Sequence, residues 1–282
     1  MNRKQTIINA DKSNSSSSIF ELLAYKGLYK YLFIQIAKQK FRETILGVYW
    51  IALRPLLPAL ITIFVFTRIA SFDSSLEYPY PLFYFSGYLF WSIFASCVAF
   101  LPRGLRMNRG FMKRVYFPRV IIPLASIAIP ISEFIVILLA FTVVFSFFIF
   151  TGQFDIQFTL STTLLPFLFI LALVNGISLG MFLGALSLIA RDILFLIPYI
   201  VQILLISTPL IYPIEKLPFI LRLITLLLNP MSSIIIISRD IILKGFSNFP
   251  FLLILPTLTT FIVFIFSYRM FNRAEAIFME EI

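Results

Sequence analysis

The stretch RGLRMNRGFMKRVYFPR, residues 103–119, separates two long apolar runs and carries six basic residues and no acid. The six are Arg103, Arg106, Arg109, Lys113, Arg114 and Arg119. Short loops rich in Lys and Arg remain in the cytoplasm, because anionic lipids of the inner leaflet attract them and moving their charge across the bilayer is costly. The stretch therefore predicts an integral membrane protein and fixes the orientation of the spans that flank it.

Composition supports a membrane protein and argues against the other classes that a basic chain suggests. Of the 282 residues, 60% are hydrophobic and 13% are charged, and the mean hydropathy is +0.98. A water-soluble domain of this size could not cover so much apolar surface. The net charge of +10 does not indicate nucleic acid as a partner, because the basic residues cluster at the ends of apolar runs.

Residue types that the sequence lacks exclude several chemistries. The chain has no His and a single cysteine, Cys97, so it forms neither an internal disulfide nor a Cys/His metal site. It contains no G-x-x-x-x-G-K-[ST] motif, so any ATP that drives it is bound by another subunit. A membrane enzyme acting on polyprenyl-linked sugars would need paired acids, and none occurs at a plausible spacing. We therefore expect a chain that is not an enzyme and that holds no metal or cofactor.

Apolar runs of about 20 residues or more predict an all-α integral membrane protein with six transmembrane helices. The runs are about 48–69, 81–102, 120–150, 162–190, 194–212 and 249–267. The expected organisation is a disordered cytoplasmic N-terminus (1–18), an amphipathic helix (19–47), a membrane domain (48–268) and a cytoplasmic tail (269–282).

The amphipathic segment places apolar residues at three- and four-residue steps, with Lys26 and Lys30 among the positions between them. A basic amphipathic helix before a first span is typical of a helix that lies on the cytoplasmic membrane surface. It serves either as a surface anchor or as a docking element for a cytoplasmic partner.

One region does not fit a simple span. Residues 213–245 contain two apolar pieces, about 217–228 and 231–243, and each is too short to cross the bilayer. Asn229-Pro230 separates them and disfavours one continuous helix. They form either a re-entrant hairpin, which must be buried in protein or line a wet cavity, or one kinked span.

Two charged residues lie within apolar spans. Glu133 is the one acid deep in a span, so it is either a functional site or a neutral or internally paired structural residue. Arg54 lies close enough to the inner end of the first span for its guanidinium to reach the interface, and it therefore need not be functional.

Two further sets of residues have both a structural and a functional interpretation. Four aromatic residues at the start of the second span form either an interfacial belt or a surface on which sugar rings stack. Three glycines at four-residue steps in the fourth span permit close helix packing, within the chain or between subunits. The sets are Tyr80, Tyr84, Tyr88 and Trp91, and Gly176, Gly180 and Gly184.

Five stretches in this order resemble the membrane subunit of bacterial polysaccharide-exporting ABC transporters of the O-antigen type. They are RETILGVYWIALRPLLPALI, YPYPLFYFSGYLFWSIFA, KRVYFPRVIIPLAS, ARDILFLIPYIVQILLISTPLIYP and LLLNPMSSIIIISRD, and the resemblance covers the chain from about residue 20 to its end. The chain departs from the family at Arg54, where members commonly have Gln or another polar residue. A substrate contact at this position is therefore left open.

The resemblance implies a division of roles along the chain. The 103–119 loop would be a gate where a polysaccharide on polyprenyl diphosphate enters, the amphipathic segment would be an interface helix, and the 213–245 pieces would be paired outer gate helices. Two copies of the chain would enclose one channel in the bacterial cytoplasmic (inner) membrane, with both termini and two ABC ATPase subunits on the cytoplasmic side. The residues implied are Arg103, Arg106, Arg109, Lys113 and Arg114 for attraction of the diphosphate, and Arg191, Asp192, Lys26 and Lys30 for coupling to the ATPase.

Other interpretations of the same architecture stay open at this point. Membrane topology alone explains a basic loop. A type-2 ABC exporter of a drug, a small lipid, teichoic acid or capsule shares the expected fold, and a fold does not settle a substrate. A bare scaffold or channel subunit would show no dependence on an ATPase.

Overall fold

The computed structural model describes residues 25–39, 47, 49–69, 76–108, 110, 117–118, 120–155, 159–246 and 253–280. Within these ranges the chain forms helices, turns and loops and no strand, which confirms the predicted all-α class. The helices are α1 (Lys26–Gln39), α2 (Tyr49–Phe64), α3 (Tyr80–Met107), α4 (Ile121–Ser126), α5 (Ala128–Phe150), α6 (Leu165–Ile189), α7 (Ile193–Ser207), α8 (Phe219–Leu228), α9 (Pro230–Lys244) and α10 (Ile254–Glu280).

Five helical segments of the described chain are long and apolar enough to cross a membrane. They are Tyr49–Ile69, Tyr80–Met107, Ile121–Phe150, Leu160–Ile189 and Ile254–Arg273. A sixth crossing exists if α8 and α9, which meet at an angle of 103°, count as one broken span. The bend excludes a single straight helix there, as the Asn229-Pro230 pair predicts.

Helix α7 is shorter than the span expected over 194–212. It has 15 residues and ends at Ser207, so it is about 22 Å long, less than the roughly 30 Å hydrocarbon thickness of a bilayer. The chain continues through Thr208 and Pro209 without regular helix.

Prolines have different effects in different helices. Helix α2 continues through Pro55 and Pro58 without a break. A turn of π-helix, Val65–Ile69, follows it. Between α4 and α5 the chain is interrupted at Ile127. Membrane helices tolerate proline because neighbouring groups satisfy the freed backbone atoms.

The core is built around α3. Its side chains from Leu82 to Phe94 are all buried, and it packs against α2, α4, α5, α6, α7 and α9. This helix is therefore largely shielded from lipid by the rest of the chain, while α2 and α7 keep broad apolar faces exposed.

The 28 residues of α3 separate the two ends of the molecule by about 40 Å. We call one of them the basic end. There α3 ends beside α1, α4 and the later part of α10. The apolar residues in contact there include Leu32, Leu101, Leu105, Ile121 and Phe271. At the opposite end, named the far end, Leu82 at the start of α3 packs with Phe154 and Leu243.

Candidate functional site

Residues 103–107 of the predicted 103–119 loop belong to the end of α3, which continues to Met107, and two of the loop's candidate arginines are described. Arg103 is half-buried. Arg106 Nη1 donates to the carbonyl oxygens of Ser187 at 2.8 Å and Leu188 at 3.4 Å. These carbonyls belong to the last turn of α6, where unpaired carbonyls and the helix dipole favour a cation. Arg106 therefore ties the start of the basic loop to the end of α6. The other three candidates, Arg109, Lys113 and Arg114, lie outside the described residues.

The turn between α6 and α7 follows directly after the carbonyls that Arg106 contacts. Arg191 and Asp192 in this turn are both exposed, and their carbonyl oxygens accept the amides of Leu194 at 3.1 Å and Phe195 at 3.0 Å. The turn is thus a short, hydrogen-bonded link that presents two charged side chains at the basic end.

Helix α1 presents further charges at the same end. Lys26 and Lys30 are exposed, whereas Leu32 is 3% exposed and belongs to the apolar cluster of the basic end. The helix packs against α4 and α5. One face of α1 is therefore anchored to the membrane domain, and its lysines are available to another molecule.

The four candidate aromatic residues lie in the core of the single chain. Tyr80, Tyr84, Tyr88 and Trp91 are between 0% and 9% exposed. The rings of Tyr80, Tyr84 and Tyr88 stack in a column, with centroids 6.2 and 5.2 Å apart. The Tyr88 hydroxyl donates to the Pro55 carbonyl at 2.8 Å, so α2 covers the column. Sugar stacking by these rings stays a prediction.

A charged cluster joins three helices inside the membrane domain. Arg54 Nη1 on α2 lies 3.2 Å from Glu133 Oε1 on α5, and Ser96 on α3 donates a hydrogen bond to Glu133 Oε2. The Arg54 guanidinium also lies 4.1 Å from the centroid of the Phe100 ring. Sequence reasoning identified Arg54 and Glu133 separately. It did not pair them, because the two are 79 positions apart.

The three glycines of α6 lie against α3. A methyl group at Gly176 would lie 3.0 Å from the backbone of Phe94, and one at Gly180 would lie 2.9 Å from the carbonyl oxygen of Cys97. At Gly184 the nearest atom would belong to the flexible Leu105 side chain. In the single chain, the glycine face is therefore occupied by α3.

Arg239 on α9 is a buried cation that sequence reasoning did not select. It is 7% exposed and donates three hydrogen bonds, to the carbonyl oxygens of Phe83 at 3.1 Å, Pro209 at 3.0 Å and Leu210 at 2.9 Å. Its guanidinium also lies 3.6 Å from the centroid of the Phe83 ring. The signal that could have revealed it is a basic residue inside an apolar piece too short to cross the bilayer.

The bend between α8 and α9 is held by side-chain hydrogen bonds. Asn229 caps α9 by accepting the amide of Met231 at 3.1 Å, and its Nδ2 donates to Thr208 Oγ1 at 2.7 Å. Thr208 follows the last residue of α7. The bend is therefore fixed to the end of α7.

Comparison with known proteins places these features in a family. A family described as ABC-2 type transporter matches residues 27–243. The chain is similar to the O-antigen export system permease protein RfbA of Myxococcus xanthus, with 26% identity over 215 residues that cover 76% of this chain and 79% of that protein. It is also similar to the O-antigen export system permease protein RfbA of Klebsiella pneumoniae, with 25% identity over 245 residues, 86% of this chain and 90% of that protein.

Proposed function

Because the chain belongs to the ABC-2 type transporter family, we propose that it is the permease subunit of a transporter that exports a lipid-linked polysaccharide of the O-antigen type. The observation that carries this proposal is the similarity to O-antigen export permeases over 76% and 86% of the chain. The family match over residues 27–243 runs from α1 to near the end of α9. It therefore includes α1, the basic 103–119 stretch and the bent helix pair.

Energy enters from a separate ATPase, since this sequence has no phosphate-binding loop of its own. Two ATPase subunits dock at the basic end, which we place in the cytoplasm together with both termini. Lys26 and Lys30 on α1 and Arg191 and Asp192 in the α6–α7 turn are exposed there. Helix α1 is anchored to α4 and α5. When the two ATPase subunits close on each other, the movement is therefore transmitted to the membrane domain as a rigid-body motion.

The substrate enters beside the basic loop. A polyprenyl diphosphate headgroup is anionic, and the clustered charge of Arg103, Arg109, Lys113 and Arg114 draws it to the inner face of the cytoplasmic membrane. Arg106 has two roles, since it adds positive charge and also binds the last carbonyls of α6. It thereby connects the entry loop to the turn that receives the ATPase motion.

The path for the sugars lies between two copies of the chain. The exposed apolar faces of α2 and α7 provide surface for the second copy and for lipid. Sugars pass the ring column of α3 through weak, repeated contacts that do not halt movement. Because α2 covers that column through the Tyr88–Pro55 hydrogen bond, this path opens only when α2 is displaced from α3.

Deletion of the gene in its native host tests the proposal directly. Cell-surface and cytoplasmic polysaccharide are labelled separately in the deletion strain and in the same strain carrying the gene on a plasmid. We expect surface glycan to disappear and lipid-linked polymer to accumulate inside, with both effects reversed by the plasmid. Unchanged surface glycan together with lost drug resistance or altered lipid content would overturn polysaccharide export in favour of a small-molecule exporter.

A further inference from the structure

A pocket of about 400 Å³ lies at the far end of the molecule. Its wall is formed by residues 76–78, by the segment 213–216 and by the side of α9 that ends at Lys244. The length of α3 separates this pocket from the basic loop. The volume falls within the range of small-ligand pockets, about 300–1,000 Å³, so it accommodates a short molecule or one short part of a long one.

The charged side chains of the pocket balance one another. Three are acidic and three are basic, so their formal charges sum to zero, and the pocket attracts neither simple anions nor simple cations strongly. Lys244 Nζ lies 3.7 Å from Asp240 Oδ1, and Arg239 is engaged with backbone carbonyls. The six are Glu77, Glu215, Asp240, Lys216, Arg239 and Lys244.

Apolar and aromatic side chains form the rest of the wall. Phe83 and Tyr78 line the pocket together with Ile214, and the Tyr78 ring packs edge-on against Phe154 at 5.9 Å. Burial raises the pKa of Tyr78, and the negative charges of Glu77 and Asp240 raise it further. The Tyr78 hydroxyl therefore keeps its proton and is available as a hydrogen-bond donor.

We propose that this pocket binds a neutral saccharide unit of the exported polymer at the far end of the transport path. A sugar presents hydroxyl groups, which match closely spaced carboxylates and ammonium groups, and apolar C–H faces, which match aromatic and aliphatic walls. The pocket offers both surfaces without net charge. This inference rests on the proposed function, which brings a saccharide to this end.

The wall is rigid on the side of α9. Arg239 joins α9 to the start of α3 and to the segment after α7, so Asp240 and Lys244 are held in place before any ligand arrives. A prearranged wall lowers the entropic cost of binding. Binding must still be weak, since a polymer that moves on cannot be held tightly. The pocket would therefore hold the emerging end of the polysaccharide between transport steps and oppose its movement back into the transport path.

A binding measurement on the full chain in lipid nanodiscs tests the site. The probe is an oligosaccharide of one or two repeating units, prepared by partial hydrolysis of the host's surface polysaccharide and detected by saturation-transfer NMR. We expect Glu215→Gln/Asp240→Asn to bind at least about tenfold more weakly than wild type, because one hydrogen bond to a charged group already contributes about that factor. Asp155→Asn changes an exposed acid outside the pocket and is expected to bind like wild type.

A second variant distinguishes a loss of binding from a loss of folding. Glu77 is exposed, so Glu77→Gln leaves the packing intact, and it is expected to weaken binding while the unfolding temperature stays unchanged. Wild-type affinity in both pocket variants, or an equal loss in Asp155→Asn, overturns the pocket assignment.

Export in cells separates this proposal from the proposed function. We expect the pocket variants to deliver shorter surface chains than wild type, whereas gene deletion removes surface glycan altogether. If deletion removes the glycan but the variants bind the probe and export chains of normal length, the pocket proposal fails and the export function stands. If deletion leaves the surface glycan unchanged, the export function fails whatever the binding result.

Discussion

Arg54 on α2 and Glu133 on α5 form an ion pair inside the membrane domain, with Arg54 Nη1 3.2 Å from Glu133 Oε1. Ser96 on α3 donates to the second carboxylate oxygen. One carboxylate therefore joins three helices. A lone acid in an apolar span is either a functional site or a neutral or internally paired structural residue. In this structure Glu133 is internally paired.

Removing Arg54 is expected to destabilise the chain more than neutralising Glu133. Arg54→Met leaves a carboxylate that is 3% exposed, with Ser96 as its remaining donor among the described residues. Glu133→Gln keeps an acceptor for Ser96, and the Arg54 side chain, which is 38% exposed, can turn toward the interface. We expect losses of about 2 kcal/mol for Arg54→Met and below about 1 kcal/mol for Glu133→Gln, measured by thermal unfolding of the purified chain.

The double variant Arg54→Met/Glu133→Leu serves as the control for this prediction. Removing both charges leaves no unpaired ion, so most of the lost stability should return. A double variant as unstable as Arg54→Met alone would show that packing, rather than the ion pair, accounts for the effect.

The positions of the long helices could be predicted because length and hydrophobicity alone decide them. The run expected over 81–102 appears as Tyr80–Met107 and the run over 162–190 as Leu160–Ile189. Periodicity does not reveal which helix lies at the centre. The spans Tyr80–Met107 and Ile121–Phe150 are both long and apolar, yet only the first is largely buried inside the protein, and the packing of neighbouring helices decides this.

Side-chain pairing across the fold could not be predicted from the sequence. The hydrogen bond from Arg106 to Ser187 and that from Arg239 to Phe83 join residues 81 and 156 positions apart. Each depends on the rotation of one helix about its axis relative to another. Arg106 lies near the end of a span, where membrane topology already explains a basic residue, so nothing in its position indicates a partner.

Arg106 is expected to affect stability as well as transport, unlike the rest of the basic loop. Arg106→Glu places a carboxylate against the last carbonyls of α6 and should cost about 2 kcal/mol. Lys113→Glu makes the same charge reversal in the loop and should lower export by weakening attraction of the diphosphate, with little change in unfolding temperature. Both variants are compared by thermal unfolding and by surface glycan. Equal unfolding temperatures would contradict a structural role for Arg106.

Arg239→Lys is expected to weaken the chain although it conserves the charge. An ammonium group cannot reproduce the planar fork that reaches three carbonyls, so at least one of the Phe83, Pro209 and Leu210 carbonyl oxygens loses its donor. We expect a cost of about 3 kcal/mol and less folded protein in the membrane. Arg269→Lys, an exposed position on α10, is the matched control. An Arg239→Lys variant as stable as this control would contradict the role assigned to the guanidinium.

Close approach of α6 to α3 is expected to make Gly176 and Gly180 intolerant of alanine. The added methyl group would lie 2.8 Å from Cys97 Cβ and 3.0 Å from the Phe94 backbone at the first position, and 2.9 Å from a Cys97 backbone oxygen at the second. Backbone cannot yield as a side chain can, so the helices must separate. We expect about 2 kcal/mol of destabilisation for each change, measured as the unfolding temperature of the full chain.

Alanine substitutions at two other glycines test whether contact with the α3 backbone causes the loss of stability. At Gly184 the new methyl group would first meet Leu105 Cδ1, and a leucine side chain can change rotamer, so Gly184→Ala should cost less. Gly27 on α1 has no atom within 4 Å of the added methyl group, and alanine there should be neutral or favourable by up to about 1 kcal/mol. Helix propensity favours alanine over glycine, so a uniform loss at all four positions would point to an effect on expression and would rule out a packing contact between α6 and α3 as the cause.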